Sequence, residues 1–164
     1  MIEVLDIKTI VIAGSGIMGA SFAQIFARNG YEVVLYDISS EALRRAKELI
    51  RINLDAQVEA NSFSKEEAEG IFGRIQMTES KACFVEADFV LEAIAEKIEI
   101  KHSFWKEISS LVRSDVILTS NTSGLSISEI AKAVIHPERF AGMHWVNPPH
   151  LIPLVEVIAG EQSS

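Results

Sequence analysis

The sequence predicts an α/β protein, a doubly wound and mostly parallel sheet with helices on both faces. Two observations carry that prediction. Short apolar runs of strand character alternate with longer stretches of helical period, as a parallel sheet requires. The first run, Ile10 to Ala13, leads straight into Gly14-Ser15-Gly16-Ile17-Met18-Gly19 and then an amphipathic stretch closed by Gly30. With 164 residues the chain can bury a sizeable core, and a single domain is expected.

Lys8 to Asp37 organises the rest. Ile10 to Ala13 is apolar at consecutive positions and suits a strand buried on both faces. The glycines allow a tight turn, close approach of backbone to a pyrophosphate, and close packing of helix on strand. The following helix aims free amide groups at the phosphates, with Ile17, Phe22, Ile25 and Phe26 on one side and Gly30 as its stop. The second strand ends at Asp37, eighteen residues after Gly19, where a carboxylate can accept both ribose hydroxyls of an adenosine. A glycine pattern alone also occurs in turns that bind nothing. Here strand, turn, helix, strand and terminal acid stand in order, the signature of a Rossmann dinucleotide-binding unit. Asp37 repels a 2′-phosphate, and Ile38, Ser39 and Ser40 offer no arginine to hold one, so the expected cofactor is NAD. Gly14, Gly16, Ile17, Met18, Gly19 and Asp37 are its predicted contacts.

Ser39 or Ser40 caps a long helix whose apolar face includes Leu43, Ala46, Leu49, Ile50, Leu54 and Val58, broken at Asn61-Ser62. Ser64-Lys65-Glu66-Glu67 has capping-box spacing for a short helix ending near Gly73. Arg74 to Thr78 is a predicted short strand, Ser80 to Glu86 a short helix, and Asp88 to Ile94 a buried strand. Ile100, Phe104, Ile108 and Leu111 make the next helical stripe, which places Lys101, Lys106, Glu107 and Arg113 toward water. Val116 to Ser120 is a strand, Ser126-Ile127-Ser128-Glu129 a second capping box opening a helix to about Val134, and Phe140 to Val146 and Leu154 to Ile158 the last strands.

The net charge of −8 argues against nucleic acid or an anionic membrane as partner. A single cysteine, Cys83, excludes an internal disulfide, suits packing and fits a reducing compartment. The start lacks the basic residues of a signal peptide and no run reaches spanning length, so a cytoplasmic protein is expected. No metal is called for.

Ligands of open α/β sheets bind beyond the carboxyl ends of the strands. Three polar clusters fall there: Glu92 to Lys101, Ser120 to Ser123, and His144 to His150. Hydride-transfer chemistry on an alcohol needs a base for the hydroxyl proton, and histidine suits that near neutral pH. His102, on a helix, and His136, before a proline, have no such setting. His144 ends a strand and precedes Asn147, so its ring is expected in the crevice, the alternative being a satisfied core histidine. Glu156, central in the apolar strand Leu154 to Ile158, is expected to be buried and therefore to need a partner; His144 on the neighbouring strand is the candidate.

Gly14 to Gly19, Ser120-Asn121-Thr122-Ser123, Gly142-Met143-His144-Trp145-Val146-Asn147-Pro148 and Pro153-Leu154-Val155-Glu156-Val157 together resemble the NAD-binding domain of the L-3-hydroxyacyl-CoA dehydrogenases, over essentially the whole chain. The resemblance implies oxidation of an L-3-hydroxyacyl-CoA to the 3-ketoacyl-CoA in fatty acid metabolism. His144 would be the base, Glu156 its orienting carboxylate, Ser123 a hydrogen-bond donor to the substrate oxygen near the nicotinamide, and Asn147 a further holder of the reacting groups. Glu96 and Lys101 would contact the nicotinamide half of the cofactor; the alternative for Lys101 is a solvated helix lysine. The sequence departs from the family at Gly124, where another serine is usual, and at Val146, where a second aromatic is common. Asn53 and Ala60 stand where coenzyme-A enzymes carry a serine and a lysine, near Asp55 and Glu59. The run Asn147 to Leu154 is also similar to relatives acting on small free 3-hydroxy acids, the carnitine and gulonate dehydrogenases, where His150 could meet a carboxylate. A binding module that catalyses nothing is the remaining alternative. The expected organisation is an NAD-binding domain over 1–160 with 161–164 opening a linker. The family's helical second domain, which closes the substrate site and makes the homodimer, would lie beyond this chain, leaving it poorly active alone.

Overall fold

The computed structural model describes residues 7–149, 152 and 154–164. Among them, seven strands form one sheet: β1 (Thr9–Ala13), β2 (Glu32–Tyr36), β3 (Ile75–Thr78), β4 (Phe89–Glu92), β5 (Ile117–Ser120), β6 (Phe140–Trp145) and β7 (Val155–Ala159). Their order is β3-β2-β1-β4-β5-β6-β7. All neighbours pair in parallel except β6 and β7, which run antiparallel with His144 opposite Glu156. The helices are α1 (Ile17–Arg28), α2 (Ser40–Glu59), α3 (Lys65–Gly73), α4 (Ile98–Ile108) and α5 (Ile127–Ala131). This is the doubly wound fold expected. Because β1 lies between β2 and β4, the chain winds away from it in both directions and leaves a crevice above the carboxyl ends of β1 and β4.

Strand alternation divides the core. Ile10 and Ile12 face α1, α2 and α3, packing with Phe22, Ala23, Leu43 and Ile50. Val11 and Ala13 face the other way, toward Trp105, Ile108, Ile127 and Ile130. A run apolar at every position is thus required by helices on both faces.

The caps follow the sequence closely. The Ser39 hydroxyl accepts the Ala42 amide at the start of α2, and Ser64 and Glu67 complete a reciprocal box on α3. Asn61 closes α2 with φ of 55°, a conformation asparagine tolerates. Ser126 accepts the Glu129 amide, but the Glu129 carboxylate pairs with Lys132, so the second box is half made; past Ala131 the amides of Lys132, Ala133 and Val134 bond three residues back, and the expected helix to Val134 ends in a tighter turn. The expected helix over Ser80 to Glu86 is a 3-10 turn at Lys81–Phe84.

Two helix faces differ from expectation by a small rotation. In α1 the buried face is Gly19, Ala20, Phe22, Ala23 and Ala27, while Ile17 is 68% exposed. A Cβ on Gly19 would lie 1.8 Å from the Gly14 carbonyl oxygen, so the helix seats its small residues on the turn and turns Ile17 outward. In α4 the buried positions are Lys101, Trp105 and Ile108, while Ile100 is 42% exposed. Lys101 therefore does not face water. Glu92, at the end of β4, supplies the partner that lets its charge be buried. Residues 160–164 bond back onto the domain, the Ser163 hydroxyl to the Phe140 carbonyl and the Ser164 amide to the Glu138 carbonyl.

Candidate active site

The three glycines of the first turn answer different demands. Gly14 has φ of 99°, and a Cβ there would meet the Ala93 carbonyl oxygen at 2.5 Å. Gly19 is required by the packing of α1 on that turn. Around Gly16, by contrast, a Cβ would meet nothing within 4 Å and φ is ordinary, so the fold itself does not require glycine there. The open space above Gly16, at the head of α1, is what a pyrophosphate needs. It borders a cleft of about 760 Å³ whose walls include Asp37, Ile38, Ala93 and Ile100. Exposed Ile38 and Ile100 give that cleft two apolar flanks, suited to an adenine ring, and the Asp37 carboxylate stands on the same wall. The residues present fit a dinucleotide. Met18 packs partly into the core beneath the turn, and Ile17 is exposed at its surface.

The wall of the cleft runs from Ala93 through Ala95 into Glu96. Glu96 Oε1 accepts the Thr122 hydroxyl, the Ser123 amide at 3.0 Å and the Gly124 amide at 3.4 Å. It thereby holds the loop after β5 in place. Burial alone would push the Glu96 carboxyl up, but the Thr122 hydroxyl, the Lys101 cation and the Ser123 amide together hold it below the usual carboxylate value.

From that loop Ser123 Oγ reaches His144 Nε2 at 3.2 Å, and His144 Nδ1 lies 2.7 Å from Glu156 Oε2. A carboxylate only accepts, so Nδ1 carries the proton and Nε2 presents its lone pair toward Ser123. The His144 side chain is 24% exposed and that of Glu156 is 57% exposed. The expected pair is present, but the expected burial of Glu156 is not. β7 is the edge strand, and its apolar residues Val157 and Ile158 are exposed as well. Asn147 lies exposed three residues beyond His144, and His150 falls outside the described residues.

Lys101 lies beneath the site. Its Nζ is 2.5 Å from Glu92 Oε1 and 3.3 Å from Glu96 Oε2, with the lysine and Glu92 wholly buried. Glu92 Oε2 also accepts the Ser120 hydroxyl at 2.6 Å and the Trp105 indole N–H at 3.3 Å. Sequence reasoning placed Glu92 in a buried strand and in a polar cluster but missed the partner that its burial requires, Lys101; the available signal was an acid closing an apolar strand. It also missed Asn121, whose side-chain oxygen accepts the Trp145 amide at 3.1 Å and ties the β5 loop to β6. Cys83 is half-buried, and burial pushes its thiol up to about 11, consistent with a packing residue.

A second cleft, about 450 Å³, opens between α1, α2 and the β6–β7 connection, bounded by Gln24, Arg28, Gln57, Phe63, Trp145 and Val155. Among the described residues lining it there is no carboxylate. No helix among the described residues is long and apolar enough to cross a membrane.

Comparison with known proteins identifies the family. The family described as "3-hydroxyacyl-CoA dehydrogenase, NAD binding domain" matches residues 9–164. The chain is 36% identical over 156 residues to the 3-hydroxyadipyl-CoA dehydrogenase of Escherichia coli, covering 95% of this chain and 33% of that protein. It is 38% identical over 159 residues to the 5-formyl-3-hydroxy-2-methylpyridine 4-carboxylate 5-dehydrogenase of Mesorhizobium japonicum, covering 96% and 50%. The crystal structure of the (S)-3-hydroxybutyryl-CoA dehydrogenase of Ralstonia eutropha superposes with a TM-score of 0.94 at 34% identity, covering 96% of this chain and 56% of that one. The chain thus spans between a third and about half the length of these relatives. With the glycine turn, the Asp37 cleft and a match along almost its whole length, the chain belongs to the NAD-binding domain family of the 3-hydroxyacyl-CoA dehydrogenases.

Proposed function

We propose that the full-length protein oxidises an L-3-hydroxyacyl-CoA to the 3-ketoacyl-CoA, with His144 as the general base. The observation that carries this reading is the line Ser123 Oγ, His144 Nε2, His144 Nδ1, Glu156 Oε2, with separations of 3.2 and 2.7 Å, at the strand ends where the crevice lies. When substrate binds, the Ser123 hydroxyl turns from His144 Nε2 to donate to the substrate oxygen and fixes it beside the ring, and the substrate hydroxyl takes its place as donor to Nε2. His144 Nε2 takes the proton of the substrate hydroxyl as the carbonyl forms. Glu156 keeps Nδ1 protonated and stabilises the imidazolium that results. Bound NAD would supply the acceptor for the hydride that leaves the carbon bearing that hydroxyl. Glu96 holds the Ser123 loop at the nicotinamide end, Lys101 fixes Glu96 from below, and Asn147 closes the same region from the β6–β7 connection. Cofactor binding alone does not require the Ser123, His144 and Glu156 arrangement, which speaks against a module that only binds NAD.

Arg28 in the second cleft, with no carboxylate among its described lining residues, supports an anionic acyl carrier passing over α1 and α2. The rest of the polypeptide would cover exposed Leu154, Val157 and Ile158 and make the homodimer. A second reading keeps the chemistry but replaces the thioester with a small free 3-hydroxy acid. It is favoured by Asn53, Asp55 and Glu59 on α2 and Ala60 just past its end, which give coenzyme A no cation there. Turnover of 3-hydroxybutyryl-CoA, carnitine and gulonate by the full-length protein, followed as NADH formation, tests both. Activity confined to the thioester supports the first reading, and activity confined to the free acids supports the second.

A further inference from the structure

Glu92 is wired to the site from below. It closes β4 with its side chain wholly buried, and the side chains of Lys101, Trp105 and Ser120 around it are wholly buried too. Oε1 accepts Lys101 Nζ at 2.5 Å and the Ile94 amide at 2.9 Å. Oε2 accepts the Ser120 hydroxyl at 2.6 Å and the Trp105 indole N–H at 3.3 Å. An ionised carboxylate offers about four acceptor directions, and these donors use them all. They come from α4, from the last residue of β5 and from Ile94 on the wall of the dinucleotide cleft. The amide of Asn121, which opens the loop after β5, also bonds the Glu92 main-chain carbonyl at 2.7 Å.

From Glu92 an unbroken line of polar contacts reaches the base. Lys101 Nζ also meets Glu96 Oε2 at 3.3 Å, and Glu96 Oε1 accepts the Thr122 hydroxyl and the Ser123 amide. Ser123 Oγ then stands 3.2 Å from His144 Nε2. Stability alone gives little reason for this arrangement, because a buried ion pair is often no better than apolar residues of the same volume. Apolar residues could not hold Glu96 and the start of the β5 loop from one point.

We infer that Glu92 is a positioning residue for the reaction proposed above, on which reading its effect on turnover rests. Through Lys101 and Ser120 it fixes the loop after β5, so that Ser123 Oγ stays within reach of His144 Nε2. The carboxylate is essential to that role. A glutamine keeps one acceptor oxygen and turns its amide nitrogen toward donors that the carboxylate accepts.

Two readouts test this, and one does not depend on turnover. In nitrogen NMR of the histidine rings of this chain, the His144 signals are assigned by their loss in His144→Gln. Ser123→Ala then gives the Nε2 shift of a ring without its serine. Glu92→Gln is expected to move Nε2 in that same direction, while Nδ1, held by Glu156, stays in place. Ser120→Ala removes a single bond to Glu92 and is expected to do the same to a smaller extent; it serves if Glu92→Gln fails to fold. In the full-length protein Glu92→Gln is expected to lower kcat for NADH formation roughly tenfold, with KM within about twofold. In a Ser123→Ala background the same change should cost almost nothing further, because the serine it positions is already gone. A merely structural Glu92 would lower kcat by one common factor in both backgrounds, and that result overturns the inference. So does an Nε2 signal that neither Glu92→Gln nor Ser120→Ala moves. The expected NMR shifts in a protein whose full-length form makes no NADH from any 3-hydroxy substrate would instead count against the proposed reaction, with the hold of Glu92 on Ser123 still shown.

Discussion

Lys101 Nζ and Glu92 Oε1 stand 2.5 Å apart with neither side chain reached by solvent. The pair lies directly below the loop that carries Ser123. Removing Lys101 leaves Glu92 buried without a cation, which costs about 3–5 kcal/mol; removing Glu92 leaves Lys101 with Glu96 alone at 3.3 Å, and removing both together costs less. Glu92→Gln and Lys101→Met should therefore each lower the urea midpoint sharply, and the double variant should recover part of the loss. Urea melts followed by circular dichroism measure this. Single variants within about 1 kcal/mol of wild type would contradict the pairing.

Glu156 has the opposite character. Its side chain is 57% exposed, so Glu156→Gln should leave the melting temperature almost unchanged. In the full-length protein the same variant should lower kcat by about 10²-fold, because the imidazolium loses its carboxylate partner. Steady-state kinetics beside a thermal melt separate the two effects. A variant that is unstable and fully active would reverse the assignment.

The glycines of the first turn give a graded series. Gly19→Ala would place a methyl 1.8 Å from the Gly14 carbonyl oxygen, and the domain should fail to fold or should fold with large loss of stability. Gly16→Ala meets nothing within 4 Å, so its stability should stay within about 1 kcal/mol of wild type while NAD binding weakens at least tenfold. Thermal melts and calorimetry on both variants check the contrast.

Asp88 accepts the amides of Lys8 and Thr9 and the Arg113 guanidinium at 2.9 Å, joining the start of β1 to β4. Burial raises its carboxyl, but those amides and Arg113 outweigh it and hold the group below its ordinary value. A depressed carboxylate contributes stability above its unfolded value, near pH 4, which is lost as pH falls through the folded value. Asp88→Asn should therefore cost about 1–3 kcal/mol at pH 7, and the gap from wild type should shrink below about pH 4. Melts across that range provide the measurement.

The fold was legible because each local signal agreed with the others. Ile10 to Ala13 is apolar throughout because both faces of β1 are covered, and Ser39 and Ser64 cap the helices they precede. Gly14 and Gly19 were legible for the same reason, since a φ of 99° and the close packing of α1 on the turn demand glycine at those two places. His144 beside Glu156 was found by a premise that failed: the carboxylate lies on an edge strand and is exposed. The meeting follows from antiparallel pairing, not from burial. Lys101 was misread as facing water because periodicity treats lysine as solvated; a single buried acid, Glu92, reverses that rule, and its place beneath α4 is a tertiary fact. The half-made box at Ser126 has a similar cause, since Lys132 competes for Glu129.

The central claim is that His144 Nε2 receives the substrate's proton. Its most direct test is the rate of NADH formation by full-length His144→Gln with 3-hydroxybutyryl-CoA, measured together with NAD affinity. The account predicts a kcat lowered by about 10³–10⁴-fold with NAD binding unchanged within twofold. Turnover within about tenfold of wild type would contradict it.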